Sequence, residues 1–62
     1  MITKDNIKEG AKFQTASGII WIVDSVENNS VRTSMSHGKK GNYRDDINEV
    51  VSFLNEQNSK EI

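Results

Sequence analysis

The chain contains no cysteine, which excludes disulfide bonds and thiolate metal sites. It has no apolar run that approaches the ~20 residues of a membrane-spanning helix. The N-terminal segment carries charges at Lys4, Asp5, Lys8 and Glu9, and it lacks an apolar stretch long enough for a secretory signal peptide. These absences predict a cytoplasmic protein that does not enter a membrane.

The chain is also short. Its 62 residues are enough for one domain at most. A domain of this size buries about 60% of the surface of its unfolded chain, so its core is thin and its stability modest. We predict a single domain over residues 1–55 and a frayed polar tail over residues 56–62. Because no disulfide can stabilise this domain, self-association is the route left open.

Alternation of polar and apolar residues predicts an antiparallel meander. Residues 12–15 alternate over four positions, and residues 19–27 are rich in β-branched side chains. Residues 31–36 alternate again, which predicts a third strand with one apolar face. Residues 42–44 either form a short fourth strand or lead directly into the next element.

Turn signals separate these strands. Gly18 is placed to take the left-handed backbone conformation of a short hairpin loop. Asn28 and Asn29 predict a tight turn, since asparagine tolerates the same conformation. A bulge near Asp24 and Ser25 is expected to return the following valine to the inner face of the sheet.

A helix is predicted over residues 45–56. Four apolar residues recur there at the spacing of one helix face. Asp46, with Glu49 three positions later, resembles a capping box, and early acidic residues suit the helix dipole. The apolar stripe consists of Ile47, Val50, Val51 and Leu54.

Together these elements predict an α+β fold, with a three- to four-stranded antiparallel sheet or an SH3-like barrel followed by a C-terminal helix. Glycine and apolar residues recur in one spacing pattern, which consists of Gly10, Phe13, Gly18, Trp21, Val23, Val26 and Val31. This pattern resembles small SH3-like barrel proteins of bacteria and phages, over about residues 8–36. That fold hosts many unrelated roles, so the resemblance implies no catalytic or binding residues here. SH3-like domains that bind proline-rich peptides use an aromatic-lined groove, and because this chain has only four aromatic residues, proline-rich peptides are not its expected ligands.

Residues suited to catalysis are present but poorly placed. Ser34, Ser36, His37 and Asp45 include the residue types of a nucleophilic triad. The two serines lie on the exposed face of the predicted strand, where nothing excludes water or builds an oxyanion site. His37 with Asp45 or Asp46 is a poor metal ligand set, and the glycine-lysine loop that follows lacks the spacing of a phosphate-binding loop. We therefore predict no enzyme, no metal and no cofactor.

A basic segment precedes an acidic one. Residues 31–44 contain Arg32, Lys39, Lys40 and Arg44 and no acidic residue, whereas residues 45–62 contain five acidic residues and one lysine. The basic segment is either a solvated hairpin loop or a binding surface. As a surface it docks an acidic partner protein, or its cations contact nucleic-acid phosphates while Tyr43 stacks on a base. The net charge of −1 and the isoelectric point near 5.7 favour the protein partner.

The apolar run from residue 19 to residue 23 places apolar side chains on both faces of the predicted strand. If Trp21 packs in the core against the helix stripe, then Ile20 and Ile22 face away from it, because successive strand residues point to opposite faces. Either the sheet curls so that Ile2 and Ile7 cover this second face, or the two isoleucines form an apolar patch that marks a contact surface. Trp21 itself is expected in the core, with an interface anchor as the alternative.

The sequence thus predicts a non-enzymatic interaction domain that binds a protein partner or itself. Nucleic-acid binding through residues 32–44 is the alternative. The candidate partner-binding residues are Ile20, Ile22, Arg32, His37, Lys39, Lys40, Tyr43 and Arg44.

Overall fold

A computed structural model describes residues 1–36 and 43–62. Within these ranges it contains one antiparallel five-stranded sheet with strand order β4-β3-β2-β1-β5 and one helix, α1, between β4 and β5. The small α+β fold with an antiparallel sheet and a C-terminal helix is confirmed. The sheet is open, with β4 and β5 at its two edges, so a barrel is not confirmed. The elements are β1 (Lys12–Gln14), β2 (Ile20–Glu27), β3 (Ser30–Met35), β4 (Tyr43–Asp46), α1 (Ile47–Glu56) and β5 (Lys60–Glu61), preceded by a 3-10 turn at Lys4–Asn6.

The predicted turns and bulge are present. Gly18 has a φ of 95° and lies in the β1–β2 loop, where its N–H donates to the Thr15 carbonyl at 2.9 Å. Asn28, with a φ of 56°, begins the turn between β2 and β3. The β2–β3 register shifts between Val23 and Ser25, so both Val23 and Val26 point to the same side of the sheet.

Helix α1 begins two residues later than predicted, because β4 extends to Asp46. The Asp46 carboxylate accepts a hydrogen bond from the Asn48 backbone N–H at 2.8 Å, which is an N-cap contact. Ile47, Val50 and Leu54 are buried, as their spacing predicts. No helix among the described residues is long and apolar enough to cross a membrane.

The core lies on one side of the sheet. The strands contribute Phe13, Val23 and Val31, and α1 contributes its three buried residues. Ile2 and Ile7 belong to this same core cluster, so the prediction that they cover the second face is wrong. The physical reason is a side-chain clamp on the helix: Ile2 N–H donates to Asn55 Oδ1, and Asn55 Nδ2 donates to the Ile2 carbonyl, each at 2.9 Å.

Replacing Asn55 with alanine should test this clamp. The change leaves a part-buried N–H and carbonyl of Ile2 without their partners, and we expect a loss of about 1–3 kcal/mol in the free energy of unfolding. Urea denaturation followed by circular dichroism measures it. Ser52→Ala, at an exposed position of the same helix, is the matched control and should change stability by about 0.5 kcal/mol or less. Equal effects of the two changes would show that the clamp contributes nothing specific.

The C-terminal residues form an edge strand where the sequence predicted a frayed tail. Gln14 pairs with Lys60 and Phe13 with Glu61, and the Ile62 N–H donates to the Lys12 carbonyl at 3.0 Å. Asn58 has a φ of 52°, which reverses the chain after α1 as left-handed residues commonly do at helix ends. A two-residue polar strand carries no periodic signal, so the sequence pattern did not show it.

Candidate functional site

The sheet has two unlike faces. The helix face is covered by α1 and the N-terminal segment. The opposite side, which we call the open face, has no helix or strand over it within residues 1–36 and 43–62. Strand register assigns residues to the open face: Ile22 pairs with Lys12 on β1 and with Ser34 on β3, and Ile20 pairs with Gln14. The two isoleucines are therefore part of a solvent-facing surface, and both are half-buried among these polar neighbours.

Two arginines share the open face with this apolar pair. Arg32 and Arg44 are direct register partners on β3 and β4, and both are exposed. Like charges at directly opposed positions destabilise a sheet. Within the described ranges, neither guanidinium has a hydrogen-bond or ion-pair partner. An anion bound across the pair would remove this repulsion.

Acidic side chains share the open face with the arginines. Asp24 lies in the β2 bulge and accepts a hydrogen bond from the Ser34 hydroxyl at 3.1 Å. Glu27 pairs with Ser30 at the far end of the same strands. The open face therefore combines an apolar pair, two unpaired guanidiniums and separate carboxylates, rather than a uniformly basic surface.

The structure separates Tyr43 from the arginines with which the sequence grouped it. Tyr43 pairs with Thr33, and this register places its ring on the helix face. It cannot stack on a base held by Arg32 and Arg44, because the sheet lies between them. His37, Lys39 and Lys40 lie outside the described residues.

The candidate triad is also divided. Ser34 lies on the open face, whereas Asp45 pairs with the buried Val31 on β3 and so points to the helix face. These two residues cannot act in one catalytic site. Among the residues that the structure describes, no group of three or more histidine, aspartate or glutamate side chains is placed to hold a metal ion.

Three of the four aromatic residues converge on the helix face. The Trp21 ring lies 5.4 Å from the Tyr43 ring and 5.3 Å from the Phe53 ring, measured between centroids, with interplanar angles of 69° and 82°. Tyr43 is 39% exposed and Phe53 is 40% exposed. Trp21 is half-buried and packs against the core as well. These rings line an aromatic groove.

The aromatic groove runs from the surface into the core. Its volume is about 330 Å³, and its inner end reaches the buried side chains of Phe13 and Leu54. Asp45 and Glu49 also line it. Phe53 is not among the residues predicted for a site, because it lies off the buried helix stripe. The available signal was a large aromatic at a position where the helix pattern predicts a polar residue.

Comparisons with protein-family models, curated proteins and solved structures find no match for this chain.

Proposed function

We propose that the protein is a small non-enzymatic interaction domain whose open face binds an acidic segment of a partner protein. The observation that carries the proposal is the cross-strand couple Arg32–Arg44, which has no partner among the described residues and lies on the same face as the half-buried Ile20 and Ile22. A second copy of the chain is the simplest form of such a partner, since the open face carries carboxylates as well.

The chemistry of this surface suits a protein ligand. Arginine binds carboxylates through paired hydrogen bonds that are shorter and stronger than those between neutral groups. Ile20 and Ile22 offer apolar area that a partner side chain can bury, at roughly 25 cal/mol per Å². A segment with acidic residues next to an apolar one would use both features.

Nucleic-acid binding is the second candidate, because phosphates also fit an arginine pair. The position of Tyr43 on the helix face removes the base-stacking contact expected for it. Asp24 and Glu27 would repel a phosphate backbone on the open face. The overall charge of −1 lowers long-range attraction for nucleic acid as well. These observations favour the protein partner.

The setting we propose is the cytoplasm of a bacterium or of a phage-infected cell. Its support is the lack of cysteine, which suits a reducing compartment, and the SH3-like spacing pattern of residues 8–36.

Replacing both arginines with glutamine tests the proposal. The probes are fluorescent peptides that alternate glutamate with leucine, and short single-stranded DNA and RNA, each at about 50 and 200 mM salt. We expect Arg32→Gln with Arg44→Gln to weaken binding of the acidic peptide by about ten-fold or more, since hydrogen bonds to charged groups contribute about 1.5–3 kcal/mol. Fluorescence anisotropy measures the binding of the peptides and of the oligonucleotides.

Lys4→Gln with Lys8→Gln is the matched control, because it removes the same charge at exposed residues of the N-terminal segment. It should change peptide binding by about two-fold or less. Equal losses in the two double variants would attribute binding to net charge alone. Oligonucleotide binding tighter than peptide binding, with a steep salt dependence that the arginine variant flattens, would replace the protein partner with nucleic acid.

A further inference from the structure

We propose that the aromatic groove is a second binding site, and that it receives an arginine or lysine side chain from a basic segment of a partner protein. The groove lies on the helix face, across the sheet from Arg32 and Arg44. It is therefore independent of the open face, and either site can exist without the other.

The ring geometry favours a cation. The Trp21 ring meets the Tyr43 ring and the Phe53 ring at steep interplanar angles, with centroids 5.4 and 5.3 Å apart, so its plane differs in direction from both of theirs. The faces of aromatic rings carry partial negative charge and attract a guanidinium or ammonium group within about 6 Å of the ring centroid. Tyr43 and Phe53 keep 39% and 40% of their surface exposed, which leaves ring surface available to a ligand.

Two carboxylates give the groove its charge preference. Asp45 and Glu49 line it together with the rings, and both residues are exposed. In the part of the chain that the structure describes, neither carboxylate has a hydrogen-bond or ion-pair partner. Among the residues that the structure describes, no lysine or arginine lines the groove. The two carboxylates attract an incoming cation, whereas they repel an anionic ligand.

The size and position of the groove favour a side chain of a peptide. Its volume of about 330 Å³ is near the lower limit of small-molecule pockets, which span about 300–1,000 Å³. The groove is bordered by β4, which pairs only with β3 among the described strands and so forms a sheet edge. An extended peptide can add a strand at such an edge while it inserts one side chain into a neighbouring pocket. The edge thus supplies contacts that a free small cation would not make.

The test uses the full chain and three short peptides. Each is an acetylated, amidated five-residue peptide of sequence Thr-Val-X-Val-Thr, in which X is arginine, its uncharged isostere citrulline, or norleucine. Trp21 is the sole tryptophan, so its fluorescence reports directly on the groove. We expect a saturable change with the arginine peptide, and binding of the citrulline and norleucine peptides weaker by about ten-fold or more.

Two double variants separate the groove from general charge. Asp45→Asn with Glu49→Gln should weaken binding of the arginine peptide by about ten-fold or more. Glu9→Gln with Glu56→Gln removes the same charge at exposed positions outside the groove, and it should change binding by about two-fold or less. Circular dichroism confirms that both variants fold. Equal losses in the two variants would overturn the proposal.

The remaining outcomes are equally decisive. Equal binding of the arginine and citrulline peptides would show that the groove does not select a cation. Tighter binding of tetramethylammonium or free arginine amide than of the peptide would assign the groove to a small cation and overturn the peptide proposal. Retained arginine-peptide binding in Arg32→Gln with Arg44→Gln is expected, and a loss there would overturn the independence of the groove from the open face.

Discussion

Replacing Phe13 with alanine is expected to unfold most of the protein at room temperature. Phe13 is 1% exposed and lies at the centre of the three-residue strand β1, where it pairs with Trp21 on one side and Glu61 on the other. Truncation of a buried phenylalanine costs about 3–5 kcal/mol. A single core in a domain of this size rarely supplies more than about 3–5 kcal/mol. The expected loss from Phe13→Ala therefore equals most of the free energy of unfolding of the protein.

Phe53→Ala is the matched control, because it removes the same side chain from a position that is 40% exposed. We expect it to cost about 1 kcal/mol, mainly through the lost contact with the Trp21 ring. Thermal unfolding followed by circular dichroism compares the two variants with the wild type. If Phe13→Ala keeps a cooperative transition at the wild-type midpoint, the core is not organised around β1.

Local patterns predicted the elements that depend on their own residues. The stripe of Ile47, Val50 and Leu54 indicated α1, and the alternation in residues 31–36 indicated β3, because each pattern reflects burial of one face. Gly18 and Asn28 marked turns because their backbone conformations are left-handed. In each of these cases the physical cause of the structure lies within the segment itself.

Features that depend on distant residues did not appear in local patterns. The side of the sheet taken by Ile2 is decided by Asn55, which is 53 positions away in the sequence. Strand β5 depends on the backbone of β1, and its two residues are both polar. Neither the position of Ile2 nor strand β5 produces a periodic pattern, because a hydrogen bond between distant segments leaves no repeat in the sequence.

The candidate site likewise has features that local patterns predict and features that depend on distant residues. Alternation predicted correctly that Ile20 and Ile22 face away from Trp21, since strand period alone decides this. The same strand period places Tyr43 and Arg44 on opposite faces, once residues 43–46 are recognised as a strand. The aromatic groove was not predictable in this way, because Trp21, Tyr43 and Phe53 come from three separate elements. Their meeting depends on how α1 packs on the sheet.

The separation of the two faces has a consequence for function. One helix and one N-terminal segment are enough to cover only one side of a five-stranded sheet. The apolar residues on the other side, Ile20 and Ile22, keep part of their surface exposed. Because the open face and the aromatic groove lie on opposite sides, the two ligands that we propose, an acidic segment and a basic segment, would not compete for the same residues. Such a domain would connect two partners of opposite charge.

Replacing Ile20 and Ile22 with lysine is expected to abolish binding at the open face while the protein stays folded. Full burial of an isoleucine side chain contributes about 1.5–3 kcal/mol, and both residues retain part of their surface for a ligand. Loss of that apolar contact from two residues should weaken partner binding by about 100-fold, which corresponds to roughly 2.7 kcal/mol. Sedimentation velocity over a range of protein concentrations measures self-association. Fluorescence anisotropy with the acidic peptide measures binding of a different partner.

Ile20→Thr with Ile22→Thr separates loss of the apolar surface from any effect of added charge. Threonine keeps the β-branch that strands favour, so this variant should fold with a stability change of about 1 kcal/mol or less. If the lysine variant unfolds while the threonine variant also loses most of its stability, the two isoleucines belong to the core. If both variants fold and bind as the wild type does, the open face is not the binding surface. If the wild type stays monomeric at high concentration but binds the acidic peptide, the partner is a different protein and not a second copy, because self-association through this face must increase with concentration.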